Sequence, residues 1–413
     1  MGRIKWIVAG LVLAVGMPAL ADEGGRIWLR YRCDAQPSQF GMPVRGQSCS
    51  IVAQRPEKLA LPELEDAQPL FARWKRTVSV NEEWFVLARA KKNGAYTLLY
   101  ADTNLDGSLA DEKPITGEYD NYGNGSGGYY HVQWPPVMFV RAGEDGPVTF
   151  HLAPQFSESG SESSSRRLYI GSAGWYEGQV MLDGKLWALA LVDSDTNGRF
   201  NDTSQDTQAG DVLAVRSPGK FVRPPSSSTQ GDDTHYLGKL LEFQGKLYEV
   251  EAAEDGSSVS LRPAGKVPFG TVRVGEMVTQ VNLYGPAGQF RRTIADGKME
   301  VPVGTYRLQS YTLQRKSDNG TLWAIENNWA SGEKPFTVTA EKETDLGFGK
   351  NFQANLSDTN PRRGGEHSFS FEIRSESGSS LSLTCNGQRP AAPKVRIRND
   401  DESYNRTFSM EYG

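Results

Sequence analysis

The sequence predicts a mainly β protein built from several small antiparallel, β-sandwich-like domains with few helices. Three observations predict it. Apolar and polar residues alternate with period two through "EWFVLARA", "YTLLYA", "GQVMLDGKLWALALV", "KLYEVEAA", "VSLRP" and "TYRLQSYTLQRK". That is the pattern of strands with one buried face. Sustained apolar periodicity at helical spacing is missing, and "PELEDAQPLFARW" offers one short helical turn at most. The 413 residues include 44 Gly and 22 Pro, which punctuate the chain into many short elements.

The chain opens "MGRIKWIVAGLVLAVGMPALADEGG". Arg3 and Lys5 supply a positive start, an apolar run follows from Trp6 to Val15, and Ala19-Leu20-Ala21 has the small-x-small form of a cleavage site. Residues 1–21 therefore read as a secretory signal peptide, with the mature chain starting near Asp22. No later stretch is apolar enough to span a membrane as a helix. The expected location is periplasmic or extracellular. In such an oxidising compartment Cys33 and Cys49 could close a disulfide within the N-terminal segment 22–60, leaving Cys385 over. Spacing alone does not decide the pairing.

The remaining elements follow in order. A β-domain is expected over 61–156. The Ser-rich run "SESGSESSSRR" (157–167) reads as a linker. A second β-domain covers 168–266, with "RPPSSSTQGDD" (223–233) as a long loop inside it. A β-module over 267–345 contains "VPVGTYRL", read as its last hairpin, and a C-terminal β-module covers 346–413.

Two stretches carry the same spacing of oxygen-bearing side chains. "DTNLDGSLAD" runs from Asp102 to Asp111, and "DSDTNGRFND" from Asp193 to Asp202. Each has an acid first, Asn or Asp third and fifth, Gly sixth, an apolar residue eighth and Asp tenth. Each follows an apolar strand-like run. Alternate residues of a tightly curled loop can aim their oxygens at one centre, and Ca²⁺ takes about six to eight oxygens at about 2.3–2.6 Å. The spacing assigns Asp102, Asn104, Asp106 and the Ser108 carbonyl to one site, and Asp193, Asp195, Asn197 and the Arg199 carbonyl to the other. Asp111 and Asp202 match each other as the remaining ligands, with Glu112 a further option in the first loop. The competing reading is two Asx-rich turns without an ion. A third stretch, "GKLYEVEAAEDGSS" (245–258), begins like the second repeat but keeps only Asp255-Gly256, so it reads as a plain hairpin turn.

The two loops resemble the calcium loop of EF-hand and dockerin proteins over about a dozen residues each. They depart from it at the twelfth place, where Lys113 and Ser204 stand instead of a bidentate Glu, and in having strand-like flanks. A sensor-type helix opening is therefore not implied. "LYADTNLDG" and the 193–202 stretch also resemble segments of a loosely defined set of exported bacterial proteins, a likeness that carries no activity. "VPVGTYRL" resembles part of transthyretin-like and Ig-like accessory modules.

Signals of catalysis are sparse. The four histidines, His131, His151, His235 and His367, show no HExxH spacing, and no GxSxG elbow, P-loop or dinucleotide fingerprint occurs. The formal S-x-x-K matches at Ser217 and Ser331 contain Pro or Gly and read as turns. With 45 basic and 50 acidic residues, a net charge of −5 gives no basic face for nucleic acid. Tyr129, Tyr130, His131, Trp134, Trp175 and Tyr176 could stack on a glycan or peptide, but rings in small β-domains more often fill cores. The sequence thus points to an exported calcium-binding β-protein, non-enzymatic, that binds a glycan or protein or serves a structural role. The alternative is a secreted hydrolase of glycans or peptides with an unrecognised carboxylate pair.

Overall fold

The structure, a computed structural model, describes residues 25–33, 46–74, 83–121, 129–159, 166–203, 210–218, 234–328, 330, 334–348, 351–358 and 367–411. The expected signal peptide, the Gly-rich run 123–128 and the loop 223–233 lie outside them, as does most of the Ser-rich run. The described residues form strands and turns, with no helix among them. The mainly β, antiparallel reading is correct. The chain divides into two compact units. The first takes the described residues within 1–202, 208–235 and 249–262, and the second takes most of the remainder.

In the first unit a long antiparallel sheet orders its strands as Ile115–Thr116, Leu98–Ala101, Glu83–Ala88, Leu70–Trp74, Gln47–Val52, Arg167–Ser172, Gly146–Ser159, Tyr129–Gln133 and Glu118–Asn121. Val137–Gly143 pairs with the first half of Gly146–Ser159. The expected boundary at 157–167 therefore separates nothing. Phe156 and Ser157 pair with Leu168 and Arg167, so the Ser-rich run only joins two partners of one hairpin. The N-terminal segment is likewise no separate piece, because Gln47–Val52 sits between Arg167–Ser172 and Leu70–Trp74. Local alternation marks strands, but it does not say which distant strand completes a sheet.

A second sheet of this unit sets Val212–Arg216, Lys185–Val192, Gly174–Leu182 and Arg30–Cys33 side by side. Cys33 pairs with Gly174 in this sheet, whereas Cys49 pairs with Leu168 in the other. All three cysteines are thiols, and the expected Cys33–Cys49 disulfide is not formed. The strands that carry the two residues have gone to different sheets.

The second unit contains two sheets around one core. Phe269–Arg273 lies between Lys298–Pro302 and, in parallel, Glu343–Asp345. The larger sheet runs Gly288–Thr293, Val278–Gly285, Gly304–Lys316, Leu322–Asn327, Ser380–Cys385, Phe369–Ser375 and Phe352–Asp358. Val272, Met299 and Val301 from the first meet Val281, Leu283, Phe290, Tyr306 and Leu308 from the second. "VPVGTYRL" is not a hairpin. Lys298–Pro302 and Gly304–Lys316 belong to different sheets, and the chain turns a corner between them. The buried Tyr306 hydroxyl closes that corner by donating to the Pro302 carbonyl at 2.8 Å. The C-terminal segment is not independent either, since Leu322–Asn327 pairs directly with Ser380–Cys385. Lys394–Arg398 and Asn405–Ser409 form a two-stranded sheet of their own.

Candidate metal centre

Both aspartate loops fold in the same way. Each leaves a buried strand, Leu98–Ala101 or Lys185–Val192, at an aspartate. In each, the fourth and sixth residues have positive φ: Leu105 at 58° and Gly107 at 87°, Thr196 at 62° and Gly198 at 82°. That alternation curls the chain around the first carboxylate. Asp102 accepts the N–H groups of Asp106 (3.1 Å) and Gly107 (2.7 Å). Asp193 accepts those of Asn197 (3.2 Å) and Gly198 (2.7 Å). The third and fifth residues join in both copies. Asn104 Nδ2 donates to Asp106 Oδ2 and Asn197 Nδ2 to Asp195 Oδ2, each at 3.1 Å. The apolar eighth residue is the anchor. Leu109 sits in a core cluster with Leu59, Phe71, Val86, Ala88 and Tyr100, and Phe200 packs edge-on against Tyr176 at 4.9 Å.

The loops differ in depth. In the first, Asp102 is buried while Asn104, Asp106 and Asp111 are exposed. In the second, every residue from Asp193 to Gly198 is buried. Asp193, Asp195 and Asp211 each present a carboxylate oxygen, all within 4.8 Å of one another, a group able to hold a metal ion. It is the one such group of three or more among the described residues. Three carboxylates this close and this dry need an offsetting charge. Burial raises the pKa of all three. Asp195 is raised further by Asp193 and Asp202, and Asp211 by Asp193, Asp195 and Asp202. Burial raises Asp102 as well, partly countered by the Gly107 and Asp106 N–H groups.

Asp211 is the residue that the sequence reading missed. The strand register carries the signal. Val192 pairs with Val212, so continuing one residue sets Asp211 opposite Asp193. Its Oδ1 accepts the Ser194 N–H (3.2 Å) and its Oδ2 the Asp202 N–H (2.8 Å). In the first loop the matching N–H, that of Thr103, goes to Glu112 Oε1 at 2.6 Å. Glu112 and Asp211 thus play one structural role, but only Asp211 joins a carboxylate group. Asp202 stands to one side, where its Oδ2 accepts Asn197 Nδ2 at 2.6 Å. Asp111 accepts Asn104 Nδ2 only at 3.5 Å. Ser108 and Arg199 lie at the seventh position and donate their N–H groups to Asp106 Oδ1 and Asn197 Oδ1.

The third stretch is a turn, with Ser257 N–H bonded to Asp255 Oδ1 and Gly256 at φ 77°. It also braces the second loop, because Phe200 N–H donates to the Glu254 carbonyl at 3.0 Å. Several described rings of the aromatic stretches pack against neighbours. Trp134 and Trp175 are buried, Trp134 Nε1 donates to the Thr97 carbonyl, and Tyr130 donates to Glu158. Tyr176 lies between Tyr31 and Phe200. No family model, no curated protein and no solved structure matches the chain.

Proposed function

We propose that this is an exported calcium-binding β-protein of the periplasm or extracellular space, acting as a binding or structural component rather than an enzyme. The observation that carries the calcium reading is the buried Asp193, Asp195 and Asp211 group at the mouth of a loop with the calcium-loop spacing. An all-oxygen set of hard donors suits Ca²⁺ better than a transition metal. Asn197 and Asp202 extend that set. Asp102, Asn104, Asp106 and Asp111 form a shallower and weaker second site, with Glu112 beside it. Extracellular modules of this kind bind at about 10⁻⁴–10⁻³ M, suited to a compartment where calcium is abundant.

The segment 1–21 has the form of a signal peptide, and no described helix is long and apolar enough to cross a membrane. The two-sheet core with its Tyr306–Pro302 corner supports an Ig-like or transthyretin-like accessory module in the second unit. A glycan or protein partner would use surfaces other than Trp134 and Trp175, which are buried.

The test is calorimetric titration of the mature chain with calcium, beside thermal melts in EDTA and in millimolar calcium. Asp102→Ala with Asp193→Ala is the paired control. Binding heat and a raised Tm, both lost in the double variant, are expected. No heat and no shift would reduce both loops to turn chemistry.

A further inference from the structure

The two loops lie 91 residues apart from Asp102 to Asp193, yet both attach to adjacent residues of one strand, Val137–Gly143. That strand pairs with Gly146–Ser159 along one edge. On the other edge, the Val140 N–H donates to the carbonyl of Thr103, the second residue of the first loop, at 2.9 Å. An unpaired edge N–H is costly when buried, so the loop completes this strand. The next residue, Arg141, is buried. Its Nε donates to the carbonyl of Gly198, the sixth residue of the second loop, at 2.6 Å. Its Nη1 pairs with Glu254 Oε1 at 2.9 Å, and Glu254 in turn accepts the Phe200 N–H through its carbonyl. Gly198 also fits against Phe150, where a Cβ would come within 2.6 Å of the ring, and Phe150 stacks on Phe139 of the same strand.

We propose that Val137–Gly143 makes the two aspartate loops a single cooperative unit, so that whatever fixes one loop tightens the other. The Thr103 carbonyl holds the Val140 N–H, and Arg141 is the next residue of the same paired strand, so a shift of that carbonyl displaces the backbone that carries the guanidinium. The buried guanidinium cannot follow one partner and keep the others, because its fork geometry serves the Gly198 carbonyl and Glu254 together. A strand already held by one loop costs the second loop less ordering, which is coupling without a change of fold. The coupling is reciprocal in free energy and is of the size that shifts an equilibrium about fivefold or more. It goes beyond the calcium reading, because the strand and its contacts need no ion.

Hydrogen exchange read by mass spectrometry on the full mature chain in EDTA tests it. Asp102→Asn weakens the first loop. Peptides covering Asp193–Arg199 are expected to exchange at least about fivefold faster, while Phe369–Ser375 in the second unit is unchanged. Asp193→Asn should speed exchange at Asp102–Ser108 by a similar factor. Arg141→Gln should abolish the transfer in both directions while leaving the first loop's own protection intact. A merely structural arginine would instead loosen everything around it. If Arg141→Gln does not fold, Arg141→Lys, which keeps the charge and loses the fork, makes the same test. Exchange that stays confined to the mutated loop overturns the proposal. A second arm titrates calcium into the same variants, and it alone rests on the calcium reading. Two independent affinities in wild type would overturn coupling and leave the sites standing. Absence of calcium heat would remove the sites and leave the exchange result to decide the coupling.

Discussion

Asp195→Asn separates an ion site from a turn more sharply than any alanine substitution. Two unit charges 4.8 Å apart repel by roughly 3.5 kcal/mol at an effective dielectric constant of 20. Three carboxylates this close cannot all stay ionised without a cation, so in EDTA they are expected to take up protons. Burial, then Asp193 and Asp202, push Asp195 up to about 9, so it is a neutral acid at pH 7. Its amide analogue keeps that shape and neutrality. In EDTA at pH 7 the variant should melt within about 1 °C of wild type. On the calcium reading the ion acts differently, because a cation binds the ionised form. With a Kd of about 10⁻⁴ M and 5 mM calcium, the ion stabilises wild type by about 2.3 kcal/mol. For a unit of this size that raises Tm by about 5–9 °C. Asp195→Asn removes one of three charges and should lose most of the shift. Differential scanning calorimetry with and without calcium reads both quantities. An undiminished calcium shift in the variant, or a variant several degrees apart from wild type in EDTA, would refute the reasoning.

Other expectations follow from the same geometry. The folded pKa values of Asp193, at about 6, and Asp195, at about 9, lie above the unfolded value near 4. The contribution of these two groups to metal-free stability is therefore full below about pH 4 and is lost as pH rises through about 6 to 9. Calcium affinity should rise over the same window, with proton release visible as a buffer-dependent binding enthalpy; a pH-independent affinity would contradict this. Gly107→Ala meets positive φ but open space and should cost about 1 kcal/mol, whereas Gly198→Ala must also displace Phe150 and should cost about 2 kcal/mol more in urea melts. Equal costs would mean that the loops pack alike. Burial alone would raise Asp66, but the Arg89 side chain and the Gln68 and Arg89 N–H groups hold it below the usual carboxylate range. That contribution is present above about pH 4 and is lost in acid, so Arg89→Met should cost about 2 kcal/mol at pH 7 and much less at pH 2. Tyr306→Phe removes the bond to the Pro302 carbonyl and should cost about 1 kcal/mol without changing the calcium response.

The strand reading was legible because period two is local. "WALALV" and "YTLLYA" each need only their own alternation to declare a strand. The loop spacing was legible for the same reason, since Asp, Asn and Gly at fixed offsets imply one curl, and both copies adopt it. Pairing was not legible. Gln47–Val52 joins Arg167–Ser172 more than a hundred residues later, and nothing in "QSCSIV" names that partner. The domain boundaries and the disulfide failed on this point together. A Ser-rich run looks like a linker whether it joins two domains or two strands of one hairpin. Two nearby cysteines look like a pair until their strands are dealt to different sheets.

Asp211 shows where the same limit meets function. Within its own stretch, "AGDVLAVR", it is a lone acid before an apolar strand, with no spacing motif around it. It gains meaning only when Val212–Arg216 aligns against Lys185–Val192 and brings it opposite Asp193. The first loop has the better sequence match at its fifth residue, Asp106, yet it stays shallow because its clasp comes from Glu112 only ten residues on. The second loop takes its clasp from Asp211, the residue before the fully buried strand Val212–Arg216, whose pairing with Lys185–Val192 brings the third carboxylate in. Depth rather than motif quality therefore ranks the two candidate sites: the repeat supplies a curl in each, and the neighbouring strand decides which curl gathers three buried carboxylates able to hold a cation.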